Sequence, residues 1–265
     1  MNLIRPQELF ALSGRVAAIT GGGGNLGTVY ARVLAGAGAK IALIDVRRES
    51  ASQVASDLSA AGADVEAFHC DIADAAAVEA CFRAIGARFG GLDVLVNNAA
   101  GKSAHWFSDL EALPLEDWNE ILEINLTGAF ICTKAAIPLL RSSGHGSIIN
   151  IGSTYGIVSP DPRVYEGTRL QTPPVYMASK GGLIAMTRYV AVYHASDGIR
   201  CNAVSPGGVE AGQERLFIER YSARAPLGRM ARAEEMAGAI LYLASDASSY
   251  MTGHNLVVDG GWTAW

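Results

Sequence analysis

The stretch Arg15-Val16-Ala17-Ala18-Ile19-Thr20-Gly21-Gly22-Gly23-Gly24-Asn25-Leu26-Gly27 decides how the chain is read. Its first six residues form an apolar run of strand length without alternation, the pattern of a strand buried on both faces. Four glycines follow, and then helical spacing sets in over residues 26–38. Glycines here let the backbone turn tightly and approach a pyrophosphate, whose charge is favoured by the amides and dipole at the helix start. Glycines also serve ordinary tight turns, so the motif alone leaves both readings open. Asp45 closes the next apolar run about 20 residues further on, where a carboxylate can accept hydrogen bonds from a ribose diol. That placement favours NAD over NADP, because a 2′-phosphate would meet a like charge, softened by Arg47 and Arg48. A solvated turn residue is the alternative for Asp45.

The alternation continues outward from this stretch. Runs rich in Val, Ile, Leu and Ala at residues 15–20, 40–45, 65–70, 92–97, 147–151, 199–204 and 255–259 read as strands. Residues 26–38, 49–62, 74–89, 116–140, 176–196 and 233–245 carry helical spacing. The expectation is α/β: one domain over residues 1–265, a Rossmann-type, doubly wound parallel sheet of about seven strands flanked by helices. The 116–140 stretch contains Gly128, expected to bend or split it, and Pro138, expected to end or kink it. Residues 159–174 hold four prolines, Gly167 and polar side chains and read as an inserted loop. There is no internal repeat and no low-complexity segment.

Half of the 265 residues are hydrophobic and 18% are charged, so the chain can bury a large core and is not a disordered one. A net charge of −5 with no basic run excludes nucleic acid as the expected partner. No charge-free apolar run of about 18 residues occurs. The N-terminal Met1-Asn2-Leu3-Ile4-Arg5-Pro6 lacks the apolar core of a signal peptide. The expectation is a cytoplasmic protein without membrane contact. Cys70, Cys81, Cys132 and Cys201 are far apart with no C-x-x-C, and read as reduced packing residues. The histidines are scattered, with no H-E-x-x-H, so no metal site is expected.

Thr20-Gly21-x-x-x-Asn25-x-Gly27, Asn97-Asn98-Ala99-Ala100-Gly101, Asn125, Ser153, Tyr176-x-x-x-Lys180 and Pro206-Gly207 run through the chain in that order. Any one motif is weak, but the ordered set resembles the short-chain dehydrogenase/reductase family, including its sugar and gluconate dehydrogenase-like and 3-oxoacyl reductase-like members. The resemblance spans nearly the whole chain. It implies that Gly21, Asn25 and Leu26 lie at the cofactor, that Asp71 and Ile72 contact its adenine, and that Asn97 and Ala99 flank it. Tyr176, Lys180, Pro206, Gly207 and Val209 complete the implied cofactor contacts. Two positions depart from the family pattern. Asn25 replaces the middle glycine, and Asn is the side chain that best tolerates positive φ. Ala211 stands where the family often has a threonine that bonds the nicotinamide carboxamide. Backbone groups of Gly208 and Val209, or another residue of the flexible 210–221 segment, are the expected substitutes. The resemblance further implies a homotetramer or homodimer, with 116–140 and 176–196 as interface helices and the tail 257–262 near another interface.

Tyr176 and Lys180 are four apart at the start of a helix, so both side chains share a face. Oxidising an alcohol by hydride loss requires removal of its hydroxyl proton, yet a free tyrosine, with pKa about 10, is almost wholly protonated near neutrality. A cation about 5 Å away at an effective dielectric of about 20 is worth roughly 3 kcal/mol, which predicts a Tyr176 phenol pulled down toward neutrality and able to act as general base. In the reverse direction its phenol protonates the incipient alkoxide. Ser153, after the fifth strand, can hydrogen-bond the substrate oxygen. The resemblance gives Asn125 the task of holding a water near Lys180; a buried amide satisfying backbone is its alternative.

The 159–174 loop is anchored between Ser153 and Tyr176 and is expected to border the substrate. Its donors and charges suit a hydroxylated or anionic molecule, a sugar, polyol or sugar acid of carbohydrate metabolism, with Arg163 and Arg169 as candidate contacts. His105 can add a hydrogen bond and Trp106 an apolar ring face. An NADPH-dependent reductase of 3-oxoacyl thioesters is the competing reading, disfavoured by Asp45 and the polar loop. A non-catalytic nucleotide sensor or scaffold is the alternative from another class, and its expected signature, a broken Tyr/Lys/Ser set, is absent. The sequence has no G-x-S-x-G of a serine hydrolase.

Overall fold

Every side chain of strand β1 (Val16–Thr20) is buried, which is why its sequence shows no alternation. Successive side chains nevertheless point to opposite faces: Ala17 and Ile19 enter one apolar cluster, Val16 and Ala18 the other. A computed structural model describes residues 3 and 5–265; Met1, Asn2 and Ile4, part of the stretch read above for a signal peptide, lie outside it.

The elements run α1 (Pro6–Leu9), β1, α2 (Asn25–Gly36), β2 (Lys40–Asp45), α3 (Arg48–Ala60), β3 (Val65–His69), α4 (Ala75–Phe89) and β4 (Val94–Asn97). The second half continues with α5 (Leu115–Leu122), α6 (Ala129–Ser143), β5 (Ser147–Ile151), α7 (Pro174–Tyr193), β6 (Arg200–Pro206), α8 (Arg215–Arg224), α9 (Ala237–Ala244) and β7 (Asn255–Val258). All strand pairs are parallel in one seven-stranded sheet, ordered β3-β2-β1-β4-β5-β6-β7. In register, Ile19 lies beside Leu43 of β2 and Val96 of β4. Helices α2, α3 and α9 cover one face, and α4, α6 and α7 the other.

Two sequence expectations change, at Pro138 and over residues 210–221, and the split of the 116–140 stretch is found. Pro138 does not end its helix: α6 runs through it to Ser143, because Ala136 and Leu140 on either side are fully buried and packing outweighs the lost hydrogen bond. The 116–140 stretch does split, at a π-helical turn over Glu123–Gly128. Residues 210–221 are not loop throughout, for a helix begins at Arg215. Most of their second half belongs to α8, whose Phe217 and Tyr221 are buried in an aromatic cluster with Tyr155 and Trp262. The continuous helical stretch Leu115–Ser143 is long and apolar enough to cross a membrane by length and composition, but in this fold its parts pack on β4, α4 and α7.

Candidate active site

Strand order reverses between β1 and β4, and the cleft opens there, beyond the carboxyl ends of the strands. Gly21 leaves β1 with φ +62°, and a Cβ on it would lie 2.9 Å from Ala99 Cα. A Cβ on Gly27 would strike the Gly21 carbonyl oxygen, so α2 can start this close beneath the turn only without side chains there. Asn25 is the first residue of α2, after the N-cap Gly24. Among the described residues no non-glycine has positive φ, so the left-handed tolerance expected of Asn25 is not used. Asp45 is buried at the end of β2 and accepts the N–H groups of Gly23 (2.9 Å) and Arg47 (2.9 Å). It is therefore no solvated turn residue: its carboxylate holds the glycine turn against the sheet. Thr20 Oγ1 accepts the N–H groups of Asn98 (3.0 Å) and Ala99 (3.1 Å), while Asn98 Nδ2 donates to the Thr20 carbonyl (2.9 Å). These bonds tie the ends of β1 and β4 together at the cleft floor.

A cavity of about 680 Å³ is lined by Gly21, Asp45, Asp71, Ile72, Ala99 and Ile124. A second, of about 370 Å³, is lined by Leu26, Ser153, Tyr176, Lys180, Pro206, Gly207 and Val209 among others. Asn25 and Asn97 line neither. The Asn97 side chain turns into the helix layer, where Nδ2 donates to Thr133 Oγ1 (3.0 Å) and Asn150 Oδ1 (2.8 Å). A turn closed to side chains, a carboxylate one strand away and a cavity over Asp71 and Ile72 fit a nicotinamide dinucleotide.

Tyr176 and Lys180 lie one turn apart on α7, which starts at Pro174. The Lys180 Nζ is 5.7 Å from the centre of the Tyr176 ring and donates to the Ile151 carbonyl (2.7 Å) at the end of β5. Ser153 follows β5 with extended backbone, and its Oγ accepts the Tyr155 N–H (3.1 Å). Burial pushes Tyr176 above its ordinary value, with a hydrogen bond from Ser153 opposing, and burial pulls Lys180 down to about 8. Desolvation of both groups opposes the attraction between the Lys180 cation and a Tyr176 phenolate. Asn125 sits in the π-helical turn, buried; its Oδ1 accepts the Gly101 N–H (2.9 Å) and its Nδ2 donates to Ser179 Oγ (3.4 Å).

Three of the expected substrate contacts do not line the cavity. The His105 ring is drawn away by Asp117 of α5, which accepts its Nδ1 contact at 3.2 Å and its backbone N–H at 2.9 Å. Arg163 is exposed and paired with Asp161 (2.6 Å). Arg169 is exposed, and its backbone N–H donates to Glu214 Oε1 (3.2 Å). Trp106 does line the cavity, edge-on to Tyr176 with ring centres 5.5 Å apart. Sequence reasoning missed Tyr155, Gln213, Phe217 and Tyr221, all at this cavity. Nothing local marks them; they arrive from a turn and a helix that only tertiary packing brings together. The Gly208 N–H, expected as a cofactor donor, donates instead to the Tyr221 hydroxyl. Gln213 bridges the neighbouring backbone, accepting the Ala211 N–H (2.7 Å) and donating to the Val209 carbonyl (2.8 Å).

Fold and site together define a dinucleotide-binding oxidoreductase of the Rossmann type. A family profile described as enoyl-(acyl carrier protein) reductase matches residues 23–263. The chain is 38% identical to the D-arabinitol 2-dehydrogenase [ribulose-forming] of Candida tropicalis, over 97% of this chain and 95% of that protein. The solved structure of a gluconate 5-dehydrogenase from Burkholderia cenocepacia J2315, in complex with NADP and tartrate, superposes with a TM-score of 0.90 at 32% identity, covering 98% of this chain and 100% of the other. An NAD+-bound xylitol dehydrogenase superposes with a TM-score of 0.86 at 30% identity, covering 94% and 99%. The chain belongs to the short-chain dehydrogenase/reductase family, whose members use NAD or NADP, and is an oxidoreductase of CH–OH groups.

Proposed function

We propose that this protein is an NAD(H)-dependent dehydrogenase that interconverts a secondary alcohol of a polyol or sugar with the ketone. The observation that carries the reading is the meeting of Ser153, Tyr176 and Lys180 in one cavity beside a nucleotide cleft that ends in a buried Asp45. The glycine turn and the start of α2 would hold the pyrophosphate, and Asp45 the ribose diol. Asp71, Ile72 and Ala99 would hold the adenine half, and Pro206, Gly207 and Val209 the nicotinamide half. When bound, the oxidised nicotinamide supplies the hydride acceptor and a positive charge beside the phenol. Ser153 Oγ holds the substrate oxygen, and Tyr176 takes the hydroxyl proton during oxidation and returns one during reduction. Lys180, fixed by the Ile151 carbonyl, favours the phenolate whenever it is itself protonated.

Asp45 supports NAD: one backbone N–H on each oxygen fixes the carboxylate and leaves a lone pair on each for the ribose diol, and its charge opposes a 2′-phosphate. The relatives that act on arabinitol and xylitol support a polyol, and the cavity lining suits one: aromatic rings with neutral hydroxyls and amides. Lys102 also lines the cavity and favours a sugar acid as the second reading. The test is nicotinamide absorbance with NAD and NADP over a panel of polyols, sugars and aldonates. Turnover with a polyol and NAD is expected; preference for NADP, or activity confined to thioesters, would overturn the assignment. We further propose a homotetramer or homodimer, because α6 exposes Phe130 and α7 exposes Tyr189, Val192 and Tyr193. Light scattering on the eluting protein decides it, and a monomer would refute it.

A further inference from the structure

Three hydroxyls from separate parts of the chain meet on the wall of the Ser153–Tyr176 cavity: Tyr155, Tyr165 and Thr172. Tyr155 stands in the short turn just after Ser153, and the other two come from the 159–174 segment. The Tyr165 hydroxyl donates to the Tyr155 oxygen at 2.9 Å, and Thr172 Oγ1 lies 2.7 Å from the Tyr165 oxygen. Each hydroxyl owns one proton. Tyr165 spends its proton on Tyr155, so Thr172 must be the donor in the second bond. The chain of donors therefore runs Thr172 to Tyr165 to Tyr155, and the proton left over belongs to Tyr155. Among the described residues the Tyr155 hydroxyl accepts from Tyr165 and donates no hydrogen bond of its own. Donors linked in this way polarise one another, so the last in line is the strongest.

The rings cannot swing freely. Tyr155 packs edge-on to Trp262, with centres 6.4 Å apart, and Tyr165 leans on Phe217 at 5.5 Å. Burial raises both phenols above their ordinary values, so both stay protonated at working pH.

We propose that Tyr155, oriented by Tyr165 and Thr172, donates its free proton to a second substrate oxygen close to the carbinol held by Ser153 and Tyr176. The enzyme thereby selects neighbouring diols over monohydric secondary alcohols. The proposal rests on the polyol reading above and narrows it. Tyr155 is the specificity contact; Tyr165 and Thr172 are positioning residues. A substrate lacking the second oxygen leaves the buried Tyr155 donor without a partner, and a buried polar group left unpaired is what discriminates a missing hydroxyl most sharply.

The test compares kcat/KM for butane-2,3-diol and butan-2-ol, which differ by one hydroxyl, in the wild type and in Tyr155→Phe, Tyr165→Phe and Thr172→Val. In the wild type the diol is expected to be favoured at least about tenfold. Tyr155→Phe should bring that ratio close to one, and Tyr165→Phe and Thr172→Val should lower it by smaller amounts. General damage to the fold lowers both substrates together and leaves the ratio alone. If Tyr155→Phe does not fold, Thr172→Val at a half-buried position tests the same inference through its smaller drop in the ratio. A wild-type ratio near one, or a ratio unchanged in the folded variants, overturns this inference alone. Failure of the wild type to reduce NAD or NADP with D-arabinitol and with both probes overturns the polyol reading as well.

Discussion

At the nucleotide end of the cleft the working groups are backbone atoms and one carboxylate; at the substrate end they are side chains gathered from distant segments. Gly21, Gly27 and Asp45 sit on β1, α2 and β2, adjacent elements locked by the Gly23 N–H bond to Asp45. The substrate wall joins the turn after β5, the 159–174 segment and α8. Its parts are held by surface ionic contacts and by stacked rings. Asp161 pairs with Arg163 and with Arg224 of α8, and its carboxyl is held at about 2, chiefly by the Arg163 hydrogen bond. Tyr221 stacks on Trp262 with ring centres 4.2 Å apart. A site that needs only close backbone approach can be built from neighbours in sequence. One that must recognise a substrate's shape needs side chains from several directions.

If that division holds, variants at the two ends should fail differently. The largest effect belongs to the hinge between them: Tyr176→Phe should lower kcat by about 10³-fold with cofactor affinity nearly intact, as seen in steady-state rates and nucleotide titration. Equal losses in both would erase the division. Gly27→Ala should weaken dinucleotide binding severely and cost about 1–3 kcal/mol in denaturant unfolding, since the new Cβ meets the Gly21 carbonyl. An unaltered unfolding midpoint would show that the turn can relax. Asp45→Ala removes the acceptor of two N–H groups and should reduce the preference for NAD over NADP by about tenfold, read from kcat/KM for each.

Lys180 sharpens the comparison through pH. Its folded value, about 8, lies below its ordinary 10.5, so the buried cation opposes folding below pH 8 and this cost fades as pH rises from 8 to 10.5. Lys180→Met should therefore raise the thermal midpoint at neutral pH by a few degrees at most, the orphaned Ile151 carbonyl offsetting part of the gain, while activity falls. Because burial also raises Tyr176, wild-type alcohol oxidation should speed up toward alkaline pH and ketone reduction should slow. A flat profile would mean another group takes the proton. The smallest effect is expected from Ala211→Thr: less than about threefold in cofactor KM, because Gln213 already bridges the backbone at that point.

Much of the fold was legible because buried parallel strands are apolar throughout and glycine marks the turn after β1. Lys40–Asp45 and Ser147–Ile151 form strands with the bounds read from the sequence. Helix α8 escaped because its mean polarity hides two buried aromatics among charges. His105, Arg163 and Arg169 were expected at the substrate on the strength of charge and proximity in sequence. Asp117, Asp161 and the exposed loop surface claim them instead. Asn97 shows the same limit within a motif, since strand alternation turns its amide into the helix layer.

What the sequence by itself determined was the order of strands and helices, the glycine turn, and the pairing of a tyrosine with a lysine one helical turn later. These follow from local periodicity and from spacing along a single element. Only the tertiary structure decided which charges leave the cavity, how far burial shifts Tyr176 and Lys180, and which hydroxyls share its wall. Desolvation and long-range contacts depend on what surrounds a residue in space, and the order of residues along the chain does not encode that directly.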